Sequence, residues 1–258
     1  EIFERIHEAY ELLAQLEHSI PSESVSADSV ILIIKTQIII YRRFPVAVRE
    51  QKYPSYGLLL KVLAPWTATE SVETRQLRDV GLQLIHYTCQ VSPLNAKELV
   101  RAGGVERLHA TLLEGLSQYR VIAGGLVSGP ADGRRTSADG LAQQRELTSV
   151  VQMLTYILKA LAAVCSFEQG RGVLLNHCPA FSLAVVEVCK YAKDMPLAVE
   201  AALSIIGRCA VLAELQMSLV NAGAVWRLIP KLLAFDVTLG IHFQEESGRA
   251  VFNQHASN

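Results

Sequence analysis

His86 and Cys89 stand three positions apart, a spacing that places two metal ligands on one face of a helix, and His177 adjoins Cys178. A structural zinc site takes four ligands, usually in two close pairs. Here the pairs lie far apart in the chain, and Cys89 also belongs to an apolar column described below. These side chains therefore read as small buried groups, and no metal is assigned to them. Ser128 lies in Gly125-Leu126-Val127-Ser128-Gly129. That run has the spacing G-x-x-S-G, not the G-x-S-x-G of a nucleophile elbow, and no strand is expected before it. Neither G-x-x-x-x-G-K-[ST] nor G-x-G-x-x-G occurs, so the glycine loops that cradle nucleotide phosphates are missing. The carboxylates of Glu245-Glu246 fall in a polar tail and read as solvated. Arg134-Arg135-Thr136-Ser137 has the form of a basophilic kinase site, where phosphate on Thr136 or Ser137 would add nearly two negative charges. Trp226 opens a long helix. An exposed indole there would suit a partner anchor, but its place in a repeat predicts burial. No catalytic, cofactor-binding or metal residue is assigned, and the chain reads as a non-enzyme.

The elements that would position these residues follow from composition and period. Half of the 258 residues are hydrophobic and 19% are charged, below the globular average of about 25%, which predicts a large buried share. The formal net charge is -1. That gives no footprint for nucleic acid and no broad basic face for a membrane. Glu1 to Glu17 is amphipathic and charged throughout, unlike a signal peptide. The most apolar run, Val30 to Ile40, is interrupted by Lys35 and Gln37 and is shorter than the roughly 20 apolar residues of a membrane span. Its β-branched content would suit a strand, but the helical pattern that follows favours helix. The five cysteines are odd in number and lack a C-x-x-C, and no N-x-S/T sequon is present. A reduced, cytosolic setting is expected.

The clearest signal is an internal repeat. Leu99-Val100-Arg101-Ala102-Gly103-Gly104-Val105-Glu106-Arg107-Leu108 and Leu219-Val220-Asn221-Ala222-Gly223-Ala224-Val225-Trp226-Arg227-Leu228 share L-V-x-A-G-[GA]-V-x-R-L. A degenerate third copy begins at Leu174-Leu175-Asn176-His177 and runs on to Phe181. The pattern encodes a short helix, a sharp turn and a longer helix, with Gly103 and Gly223 at the left-handed position that ends the short helix. Ahead of each copy lies a further apolar helix. Leu82, Ile85 and Cys89 match Leu158, Leu161 and Cys165, and then Ala202, Ile205 and Cys209, each set spaced for one buried face.

The expected fold is all-α, an armadillo/HEAT-like helical solenoid. Residues 1–17 form a helix and 18–29 a Ser-rich linker, and the repeats occupy 30–258. Helices are expected over 30–43 and 54–64, then 76–91, 95–102 and 104–120, then 145–166, 169–177 and 180–192, and finally 196–212, 214–222 and 224–235. Asn95 with Glu98 suggests a capping pair, and Asp194 before Met195-Pro196 another helix start. Pro230 is expected to kink the last helix. Gly124 to Gly140, rich in Gly, Ser and Asp, predicts a flexible surface loop spanning about 123–144.

Several segments resemble the very large endosomal DnaJ-domain proteins of receptor-mediated endocytosis. These are Tyr53-Pro54-Ser55-Tyr56, Cys89-Gln90-Val91-Ser92-Pro93-Leu94-Asn95-Ala96-Lys97-Glu98-Leu99, Gly223-Ala224-Val225-Trp226, Phe235-Asp236-Val237-Thr238-Leu239 and Asn253-Gln254-His255-Ala256-Ser257-Asn258. Phe3, Ile6, Ala9, Tyr10 and Leu13 look like the closing helix of a J domain, and no His-Pro-Asp occurs in the sequence. The resemblance implies a non-catalytic protein-interaction scaffold in an endosomal DnaJ-type co-chaperone of cargo sorting and membrane trafficking. It implies partners among sorting nexins and WASH complex subunits, with the heat-shock chaperone ATPase engaged only through the missing part of the J domain. It also implies a place on the cytosolic face of early endosomes, by peripheral membrane association. No cofactor and no nucleic-acid partner are expected. The alternative is an armadillo adaptor for extended peptides, of nuclear-transport or adhesion type. Such grooves are typically lined with repeated Asn and Trp, and Trp occurs here only at Trp66 and Trp226.

Overall fold

The computed structural model describes residues 27–53, 56–63, 71–127, 137–234, 243–246 and 249–252. The J-like helix over 1–17, Trp66, Ser128 and Arg134 to Thr136 lie outside the described residues. The fold is all-α apart from one short ribbon. A first group holds α1 (Ala27–Arg43), α2 (Pro45–Val48) and α3 (Tyr56–Val62). Three units of three helices follow. They are α4 (Val72–Val91), α5 (Pro93–Arg101) and α6 (Gly104–Val127), then α7 (Ser137–Val164), α8 (Glu168–His177) and α9 (Phe181–Val188), then α10 (Pro196–Cys209), α11 (Ala213–Asn221) and α12 (Ala224–Ala234). A 3-10 turn, Cys189–Tyr191, prolongs α9.

Val30 to Ile40 is helical, and its apolar residues do not all face one way. Ile31, Ile34 and Ile38 are buried while Leu32 and Ile39 are exposed, the pattern of an amphipathic helix on a core. Pro45 fills the first turn of α2, a helix the sequence reading passed over. Pro93 and Pro196 do the same for α5 and α10.

The long first helices stack side by side, α1 on α4, α4 on α7 and α7 on α10. The short helices form a second row, α5 on α8 and α8 on α11, and α6 packs on both α7 and α9. The predicted column is the seam of the first row. Leu82, Ile85, Cys89, Leu158, Leu161, Cys165, Ala202, Ile205 and Cys209 are all buried. The stretch Ala142–Val164 is apolar and long enough to cross a membrane by composition. Its contacts give the reason for that composition, since α7 is gripped by α4, α6 and α10 at once.

Each unit turns at a residue with positive φ. These are Gly103 at 72°, Ala180 at 63° and Gly223 at 86°, all other described residues having negative φ. In each turn the N–H four residues on donates to the carbonyl of that residue: Arg107 to Gly103, Ala184 to Ala180 and Arg227 to Gly223, at 3.4, 2.9 and 3.3 Å. Ahead of two of the turns, Gly103 N–H bonds Val100 O and Gly223 N–H bonds Val220 O, closing the carbonyl end of the short helix. Across the middle turn the chain bends by 105° between α8 and the segment that α9 opens.

Two expectations are corrected. Within the expected loop 123–144, residues 123–127 and 137–144 are helical, since α6 runs to Val127 and α7 starts at Ser137, and 128–136 lie outside the described residues. Gly125 gives the physical reason. An added Cβ there would lie 3.1 Å from Gln143 Nε2, and Gln143 donates to the Ile122 carbonyl at 3.2 Å, so the glycine lets two antiparallel helices close on each other. Asn95 is no helix cap. Ser92 takes the N-cap position and Asn95 is buried. Glu245-Glu246 lies in a ribbon of β1 (Phe243–Glu246) and β2 (Arg249–Phe252), in the register Phe243↔Phe252 to Glu246↔Arg249.

Candidate functional site

The third helices of the units each carry an exposed apolar residue on one side of the array. α6 offers Leu113, α9 offers Leu183 and α12 offers Trp226, at 39%, 58% and 78% exposure. Together they line a groove of about 730 Å³, floored by Leu116, Ala184 and Val186. Aligning the three positive-φ residues makes Glu106, Leu183 and Trp226 equivalent positions, each three residues beyond its turn. Leu183 and Trp226 leave the core face of their helices while Glu106 is half-buried, which corrects the expectation that Trp226 is buried. The polar Glu106 in the first copy was the available signal.

Charge is distributed unevenly around this groove. Arg120 of α6 reaches Glu187 of α9, its Nε donating to Oε1 at 2.6 Å and its Nη2 bonding Oε2. The guanidinium holds the Glu187 carboxyl below the usual carboxylate range. Lys190 and Arg227 also line the groove. Neither forms a salt bridge among the described residues, although the Lys190 charge also acts on Glu187. Arg107, the counterpart of Arg227 two copies earlier, is used differently. Its guanidinium donates to the Leu63 carbonyl just past α3, the helix end that favours a cation. Arg208 serves α7 likewise through the Ala162 carbonyl and Ser166 Oγ.

The residues singled out for metal chemistry have separate surroundings. His86 lies among rings, with its centroid 4.9 Å from that of Tyr87 and 6.3 Å from that of Tyr156. Burial, and then the Lys159 charge, lowers its pKa to about 4, so the imidazole is neutral at pH 7. Cys89 Sγ lies 3.6 Å from Tyr56 Oη, and burial pushes its thiol up to about 12. His177 is exposed while Cys178 beside it is buried. Among the described residues no group of three His, Cys, Asp or Glu side chains is arranged to hold a metal ion. All five cysteines are buried and free, with Cys209 Sγ 3.7 Å from Cys165 Sγ across the α7–α10 seam.

A buried polar cluster joins the first group to the repeats. Asn95 Oδ1 accepts the Tyr53 N–H at 2.7 Å, and its Nδ2 donates to the Thr88 carbonyl at 3.4 Å. Tyr56 Oη donates to Thr88 Oγ1 at 2.7 Å, and Tyr53 Oη to Gln37 Oε1 at 3.3 Å. Tyr53, Tyr56, Cys89 and Asn95, from two of the segments that carry the sequence resemblance, thus meet in one structural joint. On the far side Tyr119 Oη donates to Asp194 Oδ2 at 2.8 Å, which puts Asp194 in a cross-unit bond while Met195 takes the N-cap position of α10.

Over 211 residues, 81% of its length, the chain is 31% identical to DnaJ homolog subfamily C GRV2 of Arabidopsis thaliana, and it spans 7% of that relative. No family model matches the chain, and no solved structure matches it.

Proposed function

We propose, for a chain related to a DnaJ homolog, that this region is a non-catalytic protein-interaction scaffold within an endosomal co-chaperone of cargo sorting. In this reading the stacked units are an armadillo-like solenoid. Such arrays bury one continuous core and leave a long face for extended contacts. The observation that carries the reading is the groove across α6, α9 and α12, where a large exposed indole stands beside three cations and one carboxylate. Polar residues elsewhere are spent on structural joints, as at Asn95 and Tyr56, so the chain is assigned no catalytic step. Sorting nexins and WASH complex subunits are the proposed partners, met on the cytosolic face of early endosomes.

The test is affinity capture from cell lysate with the full chain, followed by mass spectrometry. Recovery of sorting nexins or WASH subunits above a bead control is the expected result. A capture that contains neither, repeated at low salt, would reject the partner assignment.

A further inference from the structure

We infer that the groove between α6, α9 and α12 binds an acidic segment of a partner protein that carries a bulky apolar side chain. The inference deepens the scaffold reading and rests on it. The apolar half of the argument is shape. Leu113, Leu183 and Trp226 come from three successive units, yet they open onto one groove of about 730 Å³. A Trp at 78% exposure is costly to leave wet, and Trp is among the residues that most often anchor an interface.

The electrostatic half is complementarity. Four charged side chains line the groove: Arg120, Glu187, Lys190 and Arg227. Arg120 and Glu187 neutralise each other through their paired bonds. Lys190 adds its charge to the same Glu187 without a salt bridge, and Arg227 makes no salt bridge among the described residues, so three cations line the groove against one carboxylate. The contrast with Arg107 sharpens the point, because at the same repeat position two copies earlier the arginine is engaged in a bond to the Leu63 carbonyl. Arg227 projects into the groove instead, next to Trp226. An Asp or Glu of the partner would meet Lys190 and Arg227, while its Leu or Phe would enter between Leu183 and the indole. A basic segment would be repelled.

The test uses the full chain with Trp66→Phe, which leaves Trp226 as the sole indole. Its emission is followed while a short synthetic peptide of alternating Glu and Leu or Phe is added. A saturable blue shift that weakens with salt is expected. Lys190→Glu with Arg227→Glu should weaken it about tenfold, and a Lys-for-Glu peptide should then bind the reversed chain better than the parent. Both side chains are exposed, so an unchanged far-ultraviolet spectrum and thermal midpoint separate lost binding from lost fold. No saturable shift, or equal affinity for the two peptides, overturns the inference. So does a shift that tracks protein concentration without peptide, which assigns the groove to a second copy, or an equal shift with phosphatidylserine vesicles, which assigns it to a membrane. Capture from lysate separates the two levels. If parent and reversed chain recover the same sorting nexins or WASH subunits, the groove assignment fails and the scaffold reading stands. If neither recovers any, the scaffold reading fails.

Discussion

Ala180→Gly is expected to stabilise the protein, while Gly103→Ala and Gly223→Ala destabilise it. The three residues share one repeat position and one backbone conformation, with φ of 63°, 72° and 86°. An L-residue in the left-handed region sits about 1–2 kcal/mol above its right-handed state. Glycine escapes that strain but loses about 0.5–1 kcal/mol more chain entropy than alanine on folding. The difference leaves Ala180→Gly about 0.5–1 kcal/mol more stable. The reverse changes should cost about the same amount and no more, because an added Cβ at Gly103 or Gly223 meets nothing within 4 Å. Gly170→Ala gives the contrast. Its Cβ would lie 2.5 Å from the Val164 carbonyl oxygen, a backbone clash that should cost more than about 2 kcal/mol. Equilibrium urea unfolding of the full chain measures all four, with the slope showing whether the unfolded ensemble has changed. An Ala180→Gly protein less stable than the parent, or glycine replacements that cost nothing, would refute the claim that these turns depend on a left-handed residue.

Asn95→Ala removes an acceptor and a donor from a buried joint and should cost about 2–3 kcal/mol, against about 1 kcal/mol for Tyr56→Phe, by the same urea measurement. Thiol labelling of the native protein should leave all five cysteines unmodified until denaturant is added, since all are buried. His86 is held at about 4 in the fold against 6.5 free, so its contribution is present above pH 6.5 and is lost as pH falls toward 4. Stability should drop by up to about 3 kcal/mol over that window, and His86→Phe should flatten that part of the profile. The full chain should not stimulate a heat-shock chaperone ATPase in single turnover, because no His-Pro-Asp is present in it; stimulation matching an intact J domain would contradict this.

The helices were legible in the sequence because each has a strong period and clear punctuation. Most expected boundaries from α4 to α12 fall within a few residues of those observed, and Pro93, Pro196, Gly103 and Gly223 mark four of them. Composition misled where packing decided. Gly124-Gly125 read as loop, but the helices around them close on Gly125. The degenerate copy also hid its turn. Ala180 has the geometry of Gly103 without the residue that announces it, so only the hydrogen bond from Ala184 and the bend after α8 reveal the match.

The groove was not legible, for a reason visible in Trp226 and Arg227. Reading a repeat assigns each large apolar residue to the core, because most of them go there. Leu108 and Val185 follow that rule. Trp226 falls two positions before the equivalent column residue Leu228, which turns it well away from the core face. The sequence already placed Glu106 at that position in the first copy, and a charged residue is seldom fully buried without a partner. Arg227 is ambiguous in the same way. Its counterpart Arg107 is tied to a carbonyl of an earlier helix, a bond between residues 44 apart that no local pattern encodes. Whether a repeated arginine caps a neighbour or faces solvent is settled by which helix lies beside it. At α6 that neighbour is α3, and the side chain is engaged. At α12 the same residue meets the groove instead, and that difference between two copies of one motif turns a structural position into a candidate binding residue.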